Sequence, residues 1–498
     1  MRSVSAAVAC LLAALVLAAV GHAETRLGVN DDAGKFDNGA PAFFEAMQSL
    51  GLTENVMTIL WDPERPTEIK DMPYLKNALP VAALHGVDIV FDVYPAKARA
   101  LSSDVLGPAK FAAFVKKLAQ TFPSVKQYIV MNECNQPRFI QPQFAGRTNV
   151  SAALCGVSLA LSYDALKSID PGITVWGIGL SPRGNDNPNA PNNISTSPVR
   201  FLAALGSWYR ASGRTLPLMD GLAFHPYPNS NKDAFGLGYP WPKIGAVNLD
   251  RLYQAFWDAF HDTRQPTFAE WAPGGDSTMR LSVNEVGVQV DTRGKPGYVG
   301  KENIPAVDPM TQARWYAQLI SSTVCDPHVA SLNLFHLIDE PNRRGFQSGL
   351  FGLGYSRRPA ADVVQRASRT CAGSLRRWRH AEHVIGAKAD FHLGSEWSVR
   401  VTATEDAEYT VGVLAVEPAG ASPGEIEQAL TSEFSPLEQV HVSSGFLGAY
   451  RRPATRGTLP SGCYQLAAVF RAALNPERTT TIASPVLDVG GGCALSTP

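Results

Sequence analysis

Beyond the first two dozen positions, the apolar residues recur in a fixed order: a short continuous apolar run, a polar loop, then a longer stretch with helical spacing. Eight such rounds are present, with the short runs at 26–29, 56–60, 88–91, 128–131, 174–178, 221–224, 281–283 and 332–335. Between them lie stretches such as "PAFFEAMQSLG", "PAKFAAFVKKLAQTFP", "PVRFLAALGSWYRASG", "LDRLYQAFWDAFHD" and "MTQARWYAQLISSTVCDP". Several open with Pro, whose missing N–H is harmless in the first helical turn. Continuous apolar runs suit a parallel sheet covered on both faces, and strict alternation of strand and helix calls for parallel order. Eight units over roughly 350 residues predict a (β/α)8 barrel spanning 24–373. An open doubly wound sheet is the alternative, but no GxGxxG follows the first strand and there is no P-loop.

From about residue 375 the period shortens to two. The segments "EWSVRVTATED", "EYTVGVLAVE", "GCYQLAAVFRAA" and "TTTIASPVLDV" read as short strands of a small β-sandwich-like accessory domain over 389–498. A basic linker over 374–388 precedes it, and its "RRWRH" reads as a solvated helix end. At the other end, "MRSVSAAVACLLAALVLAAVGHA" has a charged head, an apolar run and small residues up to Ala23, the pattern of a secretory signal peptide over 1–23. An extracellular protein is expected, with no membrane contact beyond that signal, because the run is short for a span. Of seven cysteines, Cys10 falls inside the signal and six remain. Six allow fifteen connectivities. Nearest-neighbour pairing keeps each bridge within one region and predicts 134/155, 325/371 and 463/493, with free buried thiols as the other reading. Neither CxxC nor HExxH occurs, so no metal or other cofactor is expected. With 44 basic and 45 acidic residues, no global field draws nucleic acid or an anionic membrane, and a neutral substrate suits that balance better. The oligomeric state stays open.

Chemistry in such a barrel gathers at the C-terminal ends of the strands. In "KQYIVMNECNQPRF" the fourth run leads into Asn132 and Glu133; in "MRLSVNEVGVQV" the seventh leads into Asn284 and Glu285. Acids three strand positions apart around the ring can face each other across its mouth. Two facing carboxyl groups are what glycosidic cleavage needs: one protonates the leaving oxygen, and the other attacks the anomeric carbon or directs water to it.

On these residues the sequence resembles the large clan of retaining glycoside hydrolases built on the (β/α)8 barrel, which includes cellulase-like, mannanase-like and β-xylosidase-like enzymes. The resemblance covers about 26–371 and extends to "SGLFGLGYSRRPAADVVQ", similar to the closing segment of such barrels. It implies Glu133 as acid/base, Glu285 as nucleophile and Asn132 on the sugar 2-hydroxyl. In "GLAFHPYP" it implies His225 and Tyr227 as supports of the nucleophile. Three positions depart from the clan. Cys134 stands where Pro often follows the Asn-Glu pair, and a 134/155 bridge pinning that loop would account for it. "NLFHLIDEP" puts Phe335 and His336 where a Trp often floors the sugar site. "NVMTILWDPERP" lacks the Arg common after strand two and offers Trp61, Asp62 and Arg65. Trp61 and His336 are candidate sugar contacts, whereas Tyr94, Trp241 and Trp271 read as packing. Asp339 and Glu340 read as partners of Arg343 or Arg344. "GLSPRG" has a Pro after Ser181 and lacks the G-x-S-x-G spacing, which speaks against an esterase. The implied function is a secreted retaining O-glycoside hydrolase acting on a poly- or oligosaccharide by double displacement. The alternative is a catalytically inactive exported barrel that binds a glycan.

Overall fold

A computed structural model of the chain describes residues 25–36, 40–270, 279–380, 385–393, 397–432, 440–442, 450–453, 461–491 and 493. The expected signal peptide and Trp271 lie outside them. All eight expected barrel strands form: β1 (Arg26–Asn30), β2 (Glu54–Trp61), β3 (Asp88–Pro95), β4 (Gln127–Val130), β5 (Thr174–Leu180), β6 (Gly221–Phe224), β7 (Arg280–Val286) and β8 (Val329–Leu334). Each pairs in parallel with its neighbours, and β8 closes on β1 through Arg26 against Ser331 and Val29 against Leu334. Outside the ring run α1 (Pro41–Ser49), α2 (Met72–Leu84), α3 (Gly107–Thr121), α4 (Ser151–Ile169), α5 (Pro198–Ser212), α6 (Leu249–Phe260), α7 (Pro309–Val324) and α8 (Pro359–Arg366). A proline sits in the first turn of α1, α2, α3, α5, α7 and α8, as the sequence pattern suggested.

Every strand of a closed barrel has an inward and an outward face. Val56, Val90, Ile129, Trp176 and Ala223 form a cluster separate from the main core, with one residue from each of β2 to β6. Trp176 fits there because Gly221 has no side chain: an added Cβ would lie 2.3 Å from the indole. Gly221→Ala is therefore expected to lower stability by about 1–3 kcal/mol through overpacking. A denaturant midpoint shifted down at unchanged slope would register it. Towards the strand starts, buried Glu54 accepts from Asn333 Nδ2 (2.8 Å) and Gln127 Nε2 (3.3 Å) and pairs with Arg26 (3.0 Å), which joins β1, β2, β4 and β8.

Disulfides join Cys134 to Cys155, Cys325 to Cys371 and Cys463 to Cys493, the nearest-neighbour set. The first ties the loop after Glu133 to α4. That helix is long and apolar enough to cross a membrane by composition, but it packs against α3 and α5 as part of the barrel wall. Closing a loop of 21 residues restricts the unfolded chain by about 3 kcal/mol. The Cys134→Ser/Cys155→Ser double variant should lose stability of that order in a denaturant titration.

The C-terminal region holds a three-stranded antiparallel sheet of β9 (Ala387–Leu393), β10 (Trp397–Ala403) and β13 (Tyr450–Pro453). A larger antiparallel sheet comprises β11 (Ala407–Ala415), β12 (Val440–Val442), β14 (Gly462–Ala472), β15 (Asn475–Ala483) and β16 (Leu487–Val489). Val399 and Val401 from the first sheet share a core with Tyr409, Leu466 and Phe470 from the second, so the expected sandwich is present. The sequence reading missed α9 (Pro423–Ser432), whose Ile426 and Leu430 cover the outer face of the larger sheet against Leu414, Ala467 and Val469. Ion pairs dock the sandwich on the barrel. Arg200 of α5 reaches Asp406 (2.5 Å), while Arg478 bridges Asp258 of α6 (3.2 Å) and Glu405 (2.6 Å). "RRWRH" is no solvated helix end. Trp378 is buried against Tyr253, Trp257 and His328, and Arg376 pairs with Asp326 (3.2 Å), so this stretch packs onto the barrel.

Candidate active site

The two glutamates reach the barrel mouth by different backbone routes. β4 ends at Val130, and both Met131 (φ 72°) and Glu133 (φ 39°) adopt the left-handed region without being glycine. Such positions cost on the order of 1–3 kcal/mol and persist only where the surroundings fix them. Here the Met131 amide donates to Val93 O (2.9 Å), the Glu133 amide donates to Gly179 O (3.0 Å), and the Cys134 disulfide anchors the next residue. β7, by contrast, runs on through Val286, so Asn284 and Glu285 lie within the strand rather than after it.

His225, just past β6, joins them. Its Nδ1 lies 3.0 Å from Glu133 Oε1 and 3.7 Å from Glu285 Oε2. Both oxygens are thus within reach of one nitrogen, and their separation is at most about 6.7 Å, the two distances end to end. The hydroxyl of Tyr227 donates to the other oxygen of Glu285 (2.8 Å), and Tyr239 holds that tyrosine by donating to its backbone oxygen (3.0 Å). Burial by itself depresses the His225 imidazole, but the charge of Glu285 and the hydrogen bond and charge of Glu133 outweigh it and raise the pKa to about 9. His225 is a cation at neutral pH. Burial pushes Glu285 above the usual carboxylate range; the His225 cation opposes this, Glu133 adds to it, and the Tyr227 hydroxyl and Arg138 oppose it.

The pair opens into a cleft of about 960 Å3, near the upper end of the usual range for ligand sites. Asn132 lines it with its Oδ1 free of protein partners. Asn193 and Asn229 add side-chain amides suited to sugar hydroxyls, whereas Asn185, Asn231 and Gln289 spend theirs on protein partners that shape the loops, and Phe335 and Phe346 meet edge to face at 4.7 Å on one wall. A third carboxyl, Asp92 of β3, was not singled out by the sequence reading. It is buried in the same cleft with Oδ1 unpartnered, and burial raises its pKa well above the usual value, with the His225 cation opposing and Glu285 reinforcing the shift. A charged residue interrupting the apolar run "DIVFDVYP" was the available signal.

Three candidates do not line the cleft: His225 lies buried behind the two glutamates, and the other two are further removed. Trp61 is buried at 1% exposure, packs its edge on Phe111 (5.7 Å) and donates Nε1 to Pro66 O (3.3 Å), so it is a core residue. His336 is covered by the Phe346 ring (5.9 Å, 24°), and burial lowers its pKa to about 4 against the charges of Glu340 and Asp32; it sits behind the wall. Exposed Arg65 pairs with Asp62 and Glu68. Asp339 pairs with Arg358 rather than Arg343 or Arg344, and Glu340 lines the cleft.

No protein-family model matches the chain, and no curated protein matches it. Among solved structures it is similar to a family 39 glycoside hydrolase from Bacteroides cellulosilyticus WH2 (14% identity, TM-score 0.45, covering 80% of this chain and 73% of that one). It is also similar to GH5_18 from Streptomyces cattleya in complex with GlcNAc (18%, 0.47, 71% and 82%) and to an endo-beta-1,4-mannanase from Thermotoga petrophila (11%, 0.41, 93% and 98%). Likeness at this level is distant, and the barrel assignment stands on the strand order itself.

Proposed function

We propose that the protein is an exported O-glycoside hydrolase that cleaves a poly- or oligosaccharide with retention of configuration. The observation that carries this reading is the single imidazole nitrogen within 3.7 Å of both glutamates. The resulting ceiling of about 6.7 Å between one oxygen of each acid is compatible with the roughly 5–5.5 Å carboxyl separation of retaining enzymes. In the first step a Glu285 oxygen bonds to the anomeric carbon as the glycosidic C–O bond breaks, and the proton of Glu133 passes to the leaving oxygen. In the second, Glu133 takes a proton from water, the water oxygen bonds to the anomeric carbon, and Glu285 departs as carboxylate. The Tyr227 hydroxyl favours the ionised form of Glu285, as a nucleophile requires. No cofactor enters either step. The three disulfides fit an oxidising compartment, in keeping with export.

Reducing-end release from plant, fungal and bacterial polysaccharides, with the Glu133→Gln and Glu285→Gln variants in parallel, tests the proposal. Cleavage by the parent alone upholds the hydrolase and its two glutamates, and the anomer released first, read by NMR, decides retention. Glycan binding without turnover, unchanged in both variants, would instead favour the inactive binding barrel.

A further inference from the structure

We propose that the cleft is built for an anionic glycan, one bearing carboxylate or sulfate groups on sugars beside the scissile bond. This rests on the hydrolase reading above and departs from the neutral substrate that the overall charge suggests.

The charges in the cleft are sorted by depth. The acids Asp92, Glu133 and Glu285 lie at the bottom, Asp92 buried and the two glutamate side chains 18% and 16% exposed. Around them stand four cations, Arg138, Arg183, Lys243 and Arg344. None of the four has an acidic partner within ion-pair distance among the described residues. Exposed cations elsewhere are of both kinds: Lys97, Lys110, Lys126 and Arg293 pair with acids, while Lys70, Lys76, Lys295 and Lys301 extend into solvent, so what sets the cleft cations apart is their convergence on one opening. Three of the cleft cations follow β4, β5 and β6 in turn, and so form one wall on the Glu133 side. Arg183 is fixed there by donating Nη1 to Asn229 O (3.1 Å), which links two of those loops. Lys243 is half-buried, its stem against the wall of the cleft that its ammonium faces. On the opposite wall, Arg344 shares its side with Glu340, so the positive field is concentrated over β4 to β6. A neutral sugar would leave these rim cations facing only the acids deeper in the cleft, none of which is within ion-pair distance of them. A carboxylate or sulfate supplies a counter-charge, and guanidinium groups meet both with paired N–H donors.

The experiment compares kcat/KM on a polyuronide, on the same polymer after carboxyl reduction, on a sulfated polysaccharide and on a neutral glucan. It uses the parent and the Arg138→Gln/Arg183→Gln/Lys243→Gln variant, with thermal melting as the fold control and binding measured alongside. The parent should prefer one charged polymer over its neutral counterpart by about 10-fold or more, the equivalent of about 1.4 kcal/mol. The better charged polymer names carboxylate or sulfate. The preference should shrink in the triple variant, and it should shrink between 0.1 M and 1 M salt as the Debye length falls from about 10 Å to about 3 Å. Equal or better cleavage of the carboxyl-reduced and neutral polymers, insensitive to salt, overturns the inference while the hydrolase reading survives. Salt-sensitive binding of a charged polymer that is never cleaved keeps the inference and overturns the hydrolase reading. Absence of both binding and cleavage overturns both.

Discussion

Glu285→Gln should lower turnover by about 10^4-fold or more, and Glu133→Gln by about 10^2 to 10^4-fold, on any glycan the parent cleaves. The amide introduced in place of the Glu285 carboxylate fills the same space and still accepts from Tyr227, but it is too weak a nucleophile to form the glycosyl ester, so nearly the whole catalytic advantage goes. Losing the acid is different in kind. A sugar alkoxide leaves poorly without a proton, whereas an aryl glycoside with an acidic phenol needs little help. The Glu133→Gln defect should therefore narrow sharply on such an aryl substrate, while the Glu285→Gln defect should not. Both variants should melt near the parent, because Gln keeps the size of Glu and each substitution removes a like charge beside the other glutamate, which His225 still faces. Two folded variants each retaining more than about a tenth of parental turnover would rule out the roles assigned.

How much of this was legible in the chain depends on which force fixes each residue. Barrel strands are continuous apolar runs because helices cover one face and the packed interior the other, so all eight registered in the sequence. Their ends did not. β2 begins at Glu54, a buried charge whose partners Arg26, Gln127 and Asn333 lie 28 to 279 residues away in sequence. The pairing of strand-end glutamates was readable because it depends only on the order of the repeats. Trp61 shows the limit of the same logic: aromatic position at a strand end fits a sugar platform or a core contact, and only its neighbours Phe111 and Pro66 decide. Asp92 was hidden in an apolar run, since its meaning comes from His225 and Glu285 on distant strands. The segment at Trp378 looked basic and solvated because its one buried ring is flanked by arginines.

Replacing His225 with Asn should cost about 10^2-fold or more in kcat/KM and move the acidic limb of its pH profile to higher pH. The sign follows from the charges. Glu285 must be ionised to attack, so activity falls as pH drops through its pKa, and kcat/KM reports that ionisation in the free enzyme. The His225 cation holds that pKa down against burial. Without it, burial and the neighbouring Glu133 act unopposed except for Tyr227 and Arg138, and Glu285 keeps its proton to a higher pH. Tyr227→Phe removes a smaller opposing influence and should shift the limb in the same direction by less. A purely structural histidine would lower activity uniformly across pH, so the limb position, not the size of the loss, separates the two roles. In the parent, the same cation should persist up to about pH 9, where His225 deprotonates and its electrostatic hold on Glu285 ends. An acidic limb that stays put in His225→Asn would mean that the imidazole merely spaces the two carboxyl groups, and that Tyr227 and Arg138 together suffice to keep the nucleophile charged.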